Sequence, residues 1–101
     1  MALPYTAGWT RITTSGIIGD SGSAVAVQGY VLESGGTAST TSYIFNGTSS
    51  LGTPAIRMGG AVINAASVPA PIGQYPTTLW SGCYVSFDGN ATAATIFWFK
   101  P

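Results

Sequence analysis

The sequence predicts an all-β protein: a compact antiparallel β-sandwich or small β-barrel of six to eight short strands. Three observations predict it. β-Branched and aromatic residues dominate the apolar set, and these suit a pleated, half-buried surface. Glu, Lys, Gln and Arg, which stock the outer faces of helices, are nearly absent. Turn signals built on Gly, Asn and Asp recur at short intervals along the whole chain.

Residues 1–8 read as an extended arm, because Pro4 cannot sit inside a paired strand and no hydrophobic period is established there. Residues 9–101 read as a single β domain, the size of one ordinary folding unit. Trp9 to Ile18 alternates, giving a strand through Ile12 with a break expected at Gly16. Gly19-Asp20-Ser21-Gly22 is a turn. Ala24 to Glu33 reads as a strand interrupted at Gly29, and Thr41 to Phe45 as its return, closed by the Asn46-Gly47 turn. Pro54 to Met58 is a short strand ending at Gly59-Gly60, and Ala61-Val62-Ile63 continues it or pairs back. Residues 64–76, with Pro69, Pro71 and Pro76, read as a long surface connection. Leu79 to Phe87 is a strand, Asp88-Gly89 a turn, and Thr92 to Phe99 the last strand. The stretch from Gly29 to Phe45 aligns faintly with Gly82 to Trp98, so two similar hairpins are expected, one in each half of a sandwich.

Composition narrows the function. Only six side chains are charged (Arg11, Asp20, Glu33, Arg57, Asp88 and Lys100), net charge is zero and histidine is absent. General acid–base and nucleophilic sites need a donor and acceptor of suitable pKa side by side. Three carboxylates scattered over 20, 33 and 88 do not offer that, so no catalytic residue is assigned. Asp20 and Asp88 sit in Gly-flanked turns and are explained by turn geometry; alone they make a poor calcium site, which takes six to eight oxygens. Cys83 is single, leaving neither an intrachain disulfide nor a Cys/His metal site. No cofactor is expected. Three cations against three anions also exclude the basic footprint of a nucleic-acid binder. No apolar run approaches the roughly 20 residues of a membrane-spanning helix. A transmembrane barrel needs at least eight strands of about ten residues and the turns that join them, more than this chain supplies unless several copies share one barrel. The first residues lack the basic start and apolar core of a secretory signal, so the sequons Asn46-Gly47-Thr48 and Asn90-Ala91-Thr92 are read as turn chemistry.

A binding or structural role remains. With 46% of residues apolar and 6% charged, much uncharged and apolar surface must face outward, and self-association is the expected way to cover it. Leu3, Tyr5 and Trp9 offer apolar anchors on the arm. Trp80 follows the Pro-rich connection. Trp98 lies in Thr95-Ile96-Phe97-Trp98-Phe99, where alternation puts Ile96 and Trp98 on one face and Phe97 and Phe99 on the other. Such a strand is either central and covered twice, or exposed on one side to a partner. These five residues, Leu3, Tyr5, Trp9, Trp80 and Trp98, are the candidate partner interface.

Three stretches also carry a resemblance. They are Tyr43-Ile44-Phe45-Asn46-Gly47-Thr48-Ser49, Ser81-Gly82-Cys83-Tyr84-Val85-Ser86-Phe87, and the closing strand from Asn90 to Phe99. Together they make the region from Gly29 to Lys100 resemble small virion proteins of tailed bacteriophages, especially capsid decoration (cement) proteins with a compact β-fold. Similar phage proteins often have Asp before the Gly of the first turn, where this chain has Asn46. The resemblance implies a homo-oligomer, commonly a homotrimer, seated on the outer capsid surface and holding the major capsid protein shell together. A tail, neck or fibre module of the virion, and a β-sandwich carbohydrate-binding module, are the alternative readings.

Overall fold

In a computed structural model, residues 7–35, 40–61, 70–71 and 77–101 are described. Leu3, Tyr5 and the first six residues of the expected arm lie outside them, as does most of the Pro-rich connection. Among the described residues there is no helix, and nine strands are present. They are β1 (Ala7–Ile12), β2 (Gly16–Ile18), β3 (Val25–Ser34), β4 (Thr40–Asn46), β5 (Ile56–Ala61), β6 (Ala70–Pro71), β7 (Thr77–Leu79), β8 (Cys83–Ser86) and β9 (Ala91–Phe99). One sheet runs β1-β9-β3-β6, with β7 also pairing β3; the other runs β2-β8-β4-β5. Every pairing is antiparallel. The fold is an all-β sandwich.

Alternation along the strands builds the core between the sheets. From the first sheet come Val25, Val27 and Leu32 of β3, Leu79 of β7, and Ala94 and Ile96 of β9. The second sheet contributes Ile18 of β2, Ile44 of β4, Met58 of β5, and Cys83 and Val85 of β8. Each fully buried aliphatic side chain is worth about 1.5–3 kcal/mol relative to exposure. Two sheets facing each other are therefore what this sequence needs, since either alone would leave its apolar face in water. The glycine interruption in β3 appears as a register shift between Val27 and Gly29.

Several boundaries differ from the sequence reading. Ala7 and Gly8 already pair with Phe99 and Trp98, so the strand begins two residues before the expected start of the β domain at Trp9. β5 runs through both Gly59 and Gly60 to Ala61. The expected strand from Leu79 to Phe87 is two strands in different sheets, β7 and β8, separated by a turn at Trp80–Gly82. The turn depends on glycine. Gly82 has φ +119°, and a Cβ there would sit 2.9 Å from the Gly47 carbonyl oxygen.

The two expected hairpins are also not hairpins. β3 and β4 lie in different sheets, and so do β8 and β9. The first strand of each similar segment pairs with the second strand of the other, β3 with β9 and β4 with β8. The reason is that all four strands are central. Each carries apolar residues on its inner face, and crossing between the sheets lets both strands of a segment bury that face in one core. The two crossings are tied at one end of the sandwich. Gly35 N donates to the Asn90 carbonyl at 3.0 Å, and Thr41 N donates to Asp88 Oδ2 at 3.0 Å.

Candidate interaction surface

The three tryptophans lie towards the opposite end. There Ala7 pairs with Phe99, Ala26 with Phe99 and Val25 with Leu79, which sets the start of β1, the end of β9, the start of β3 and the end of β7 side by side. In the second sheet, Ile18, Cys83 and Asn46 align at the matching end. Trp9 therefore projects from the edge strand β1, Trp98 from β9, and Trp80 from the turn joining the sheets. Trp9 is 67% exposed and Trp80 71%. Ser81 N donates to Asn46 Oδ1 at 2.9 Å, fixing the turn that carries Trp80.

Trp98 is the half-buried member. It packs against the core, and its Nε1 donates to Thr10 Oγ1 at 2.9 Å, which locks the indole. Its six-membered ring lies over Gly19, where a Cβ would be 3.2 Å from Cη2. With Trp9, Gly8 and Lys100 it lines a groove of about 360 Å³. Lys100 Nζ reaches Asp20 Oδ2 at 3.0 Å, and both side chains are mostly exposed. Of the five candidate residues, Trp9 and Trp98 share this groove, Trp80 lies at the same end, and Leu3 and Tyr5 fall outside the described residues. The contributions of Gly8, Asp20 and Lys100 were not visible in the sequence, because 80 residues separate the last two.

A second apolar surface covers the outer face of sheet β2-β8-β4-β5. Ile44 and Val85 point into the core, so their neighbours Tyr43, Phe45 and Tyr84 point outward. Ile17 pairs with Tyr84, and Tyr84 with Phe45, forming a row across three strands. Tyr43 lies between Ser86 and Arg57 in the next row. Phe45 is only 7% exposed although it faces away from the core, so its neighbours close over it. The alternation of Tyr43-Ile44-Phe45 and Cys83-Tyr84-Val85 held the signal for this face.

The carboxylates are committed to structural partners. Glu33 accepts from Arg11 Nε at 3.0 Å and from Nη2 at 3.2 Å, and this hydrogen bond, with the charge of Glu33, raises the guanidinium pKa. Asp20 pairs with Lys100. Asp88 Oδ1 accepts from the backbone N–H groups of Asn90 and Ala91 at 2.9 and 3.0 Å. Burial pushes the Cys83 thiol up from 9.0 to about 12, which keeps it protonated and inert at neutral pH. Among the described residues, no cluster of three or more His, Cys, Asp or Glu is placed to hold a metal. No helix among them is long and apolar enough to cross a membrane. No protein-family model matches this chain, and no curated protein or solved structure is significantly similar to it.

Proposed function

We propose that this chain is a non-enzymatic structural protein of a tailed-phage virion, a decoration protein that binds the outer capsid surface as a homo-oligomer. The observation that carries the reading is the apolar outer face on which Ile17, Tyr43 and Tyr84 surround the buried Phe45. A lone sandwich gains by coating such a face with charge. This chain instead places aromatics there beside Arg57, the one cation without a carboxylate partner among the described residues. Docking that face on a neighbouring copy or on the shell removes it from water, and repetition over many equivalent sites adds up to a stabilised particle. The disposition of all three carboxylates supports the same reading, since each already holds a backbone amide or a cation.

Commonly such proteins are trimers, and a three-fold assembly joins this face to a different surface on the next copy. Sedimentation at micromolar concentration is expected to give about three times 10.3 kDa. Tyr43→Lys combined with Tyr84→Lys is expected to give a folded monomer that no longer attaches to particles. A wild-type monomer that also fails to bind purified shells overturns the proposal. The same holds if the chain maps to the tail in a cryo-electron reconstruction.

A further inference from the structure

We infer that β1 is a self-association edge: the β1 strands of two copies pair antiparallel about a two-fold axis at Thr10, joining their β1-β9-β3-β6 sheets into one. The edges of the sandwich are protected unequally. Among the described residues, β2 and β7 have three residues each, and β6 has two, one of them Pro71. β5 has six, but they include Gly59-Gly60 and Arg57, and its ladder with β4 is broken by a register shift. Short strands, irregular pairing, charge and proline are what keep an edge from pairing with another chain. β1 is the exception. Its six residues run in unbroken register along β9, without proline, and β9 is its one neighbour among the described residues. Its single charge, on Arg11, is turned across its own sheet to Glu33 and does not guard the edge.

What β1 offers matches itself. Thr10 and Ile12 pair with Ile96 and Ala94 of the core, so Trp9 and Arg11 point to the outer face. A slip of one residue would turn the core face of one copy outward, so the register has to keep the faces together. Centring on Arg11 sets two guanidinium groups opposite each other, and centring on Trp9 leaves Arg11 opposite Ala7. Centring on Thr10 places each Trp9 opposite the partner's Arg11 and the two threonines opposite one another. It also sets each Ile12 opposite the partner's Gly8, where a Cβ would meet nothing within 4 Å. Cross-strand threonine pairs and a guanidinium over an indole are both favourable. Arg11 keeps Nε and Nη2 on Glu33 at 3.0 and 3.2 Å, which holds its flat guanidinium in place for an indole that is 67% exposed in the single chain.

The overlap is short, so the contact falls in the weak class below about 1,200 Å², with a Kd of order 0.1–1 mM. At micromolar concentration it is silent, and it forms where many copies are held close together. The inference does not depend on the virion reading, because the tyrosine face belongs to the other sheet.

The test uses the full chain carrying Tyr43→Lys and Tyr84→Lys, so that the tyrosine face does not contribute. Sedimentation equilibrium up to ~1 mM is expected to show a monomer–dimer equilibrium. Trp9→Lys sets a cation opposite the partner's Arg11 and is expected to weaken it by about tenfold or more. Trp9→Glu sets an anion there and is expected to weaken it less. Register is read by oxidising cysteine variants of the otherwise wild-type chain, whether or not the lysine pair folds. Thr10→Cys, on the axis, is expected to give a disulfide-linked dimer. Gly8→Cys is not, because the two copies of residue 8 lie about 13 Å apart along the strands, against the roughly 7 Å limit between Cα atoms of a disulfide.

A chain that stays monomeric up to ~1 mM overturns the inference. A dimer that Trp9→Lys leaves intact overturns it too, as does cross-linking of Gly8→Cys as fast as Thr10→Cys. Dimerisation through β1 by a chain that binds no shell leaves the edge standing and the virion proposal fallen, so the two fail separately.

Discussion

Replacing Asp88 tests how the two crossing segments are held together. Its carboxylate accepts three backbone N–H groups: Asn90 and Ala91 on Oδ1, within its own turn, and Thr41 on Oδ2, 47 residues away in sequence. A hydrogen bond to a charged group contributes about 1.5–3 kcal/mol, so three independent bonds would sum to roughly 4.5–9 kcal/mol. They are not independent. Two share one oxygen, and half-buried donors recover water when the acceptor is removed. We therefore expect Asp88→Ala to cost about 3 kcal/mol, which for a domain of this size is a fall of roughly 12–24 °C in melting temperature. Asp88→Asn keeps one acceptor but turns an NH2 group towards an N–H group, and is expected to cost about 2 kcal/mol. Urea and thermal unfolding read both values, and hydrogen exchange at Thr41 reports the long-range bond directly. If Asp88→Ala stays within about 1 kcal/mol of wild type, the carboxylate is only a local turn former and the clamp is refuted.

Gly82→Ala is expected to destabilise by about 2–4 kcal/mol, combining a positive φ with the approach to the Gly47 carbonyl; a neutral result in chemical denaturation would show that the turn relaxes freely. A double-mutant cycle of Trp98→Phe and Thr10→Val is expected to return a coupling of about 1 kcal/mol, the worth of the Nε1 bond. Cys83 has a folded pKa near 12 against an ordinary 9.0, so above pH 9 the unfolded chain loses a proton that the folded chain keeps. From this group, stability is expected to fall with rising pH between those values by up to about 1.4 kcal/mol per unit. Cys83→Ala should remove that part of the slope in urea titrations at pH 8–11, and an unchanged slope rejects the buried-thiol account.

Sequence alone determined the class of fold and the chemical temper of the molecule. β-Branched alternation and Gly-centred turns leave a chain like this little choice but sheets, and with six charges and no histidine the sheets had to be built from uncharged residues. A break near Gly16, expected at that residue and found at residues 13–15 just before it, the irregularity near Gly29 and the double-sided strand ending at Phe99 were legible, because each is a local consequence of side-chain period or a missing Cβ. Which strand joins which sheet was not. The similar segments beginning at Gly29 and Gly82 look like hairpins from their turns, yet their strands cross to opposite sheets. That choice follows from burying four central inner faces in one core, which no local window contains. The groove shows the same limit. Trp9 and Trp98 were visible as aromatic anchors, but that both line one groove with Gly8 and Lys100 arises only when β1 pairs with β9 and Lys100 reaches Asp20 in the turn after β2. Local propensity specifies what a residue can be part of, and the long-range ladders decide what stands next to it.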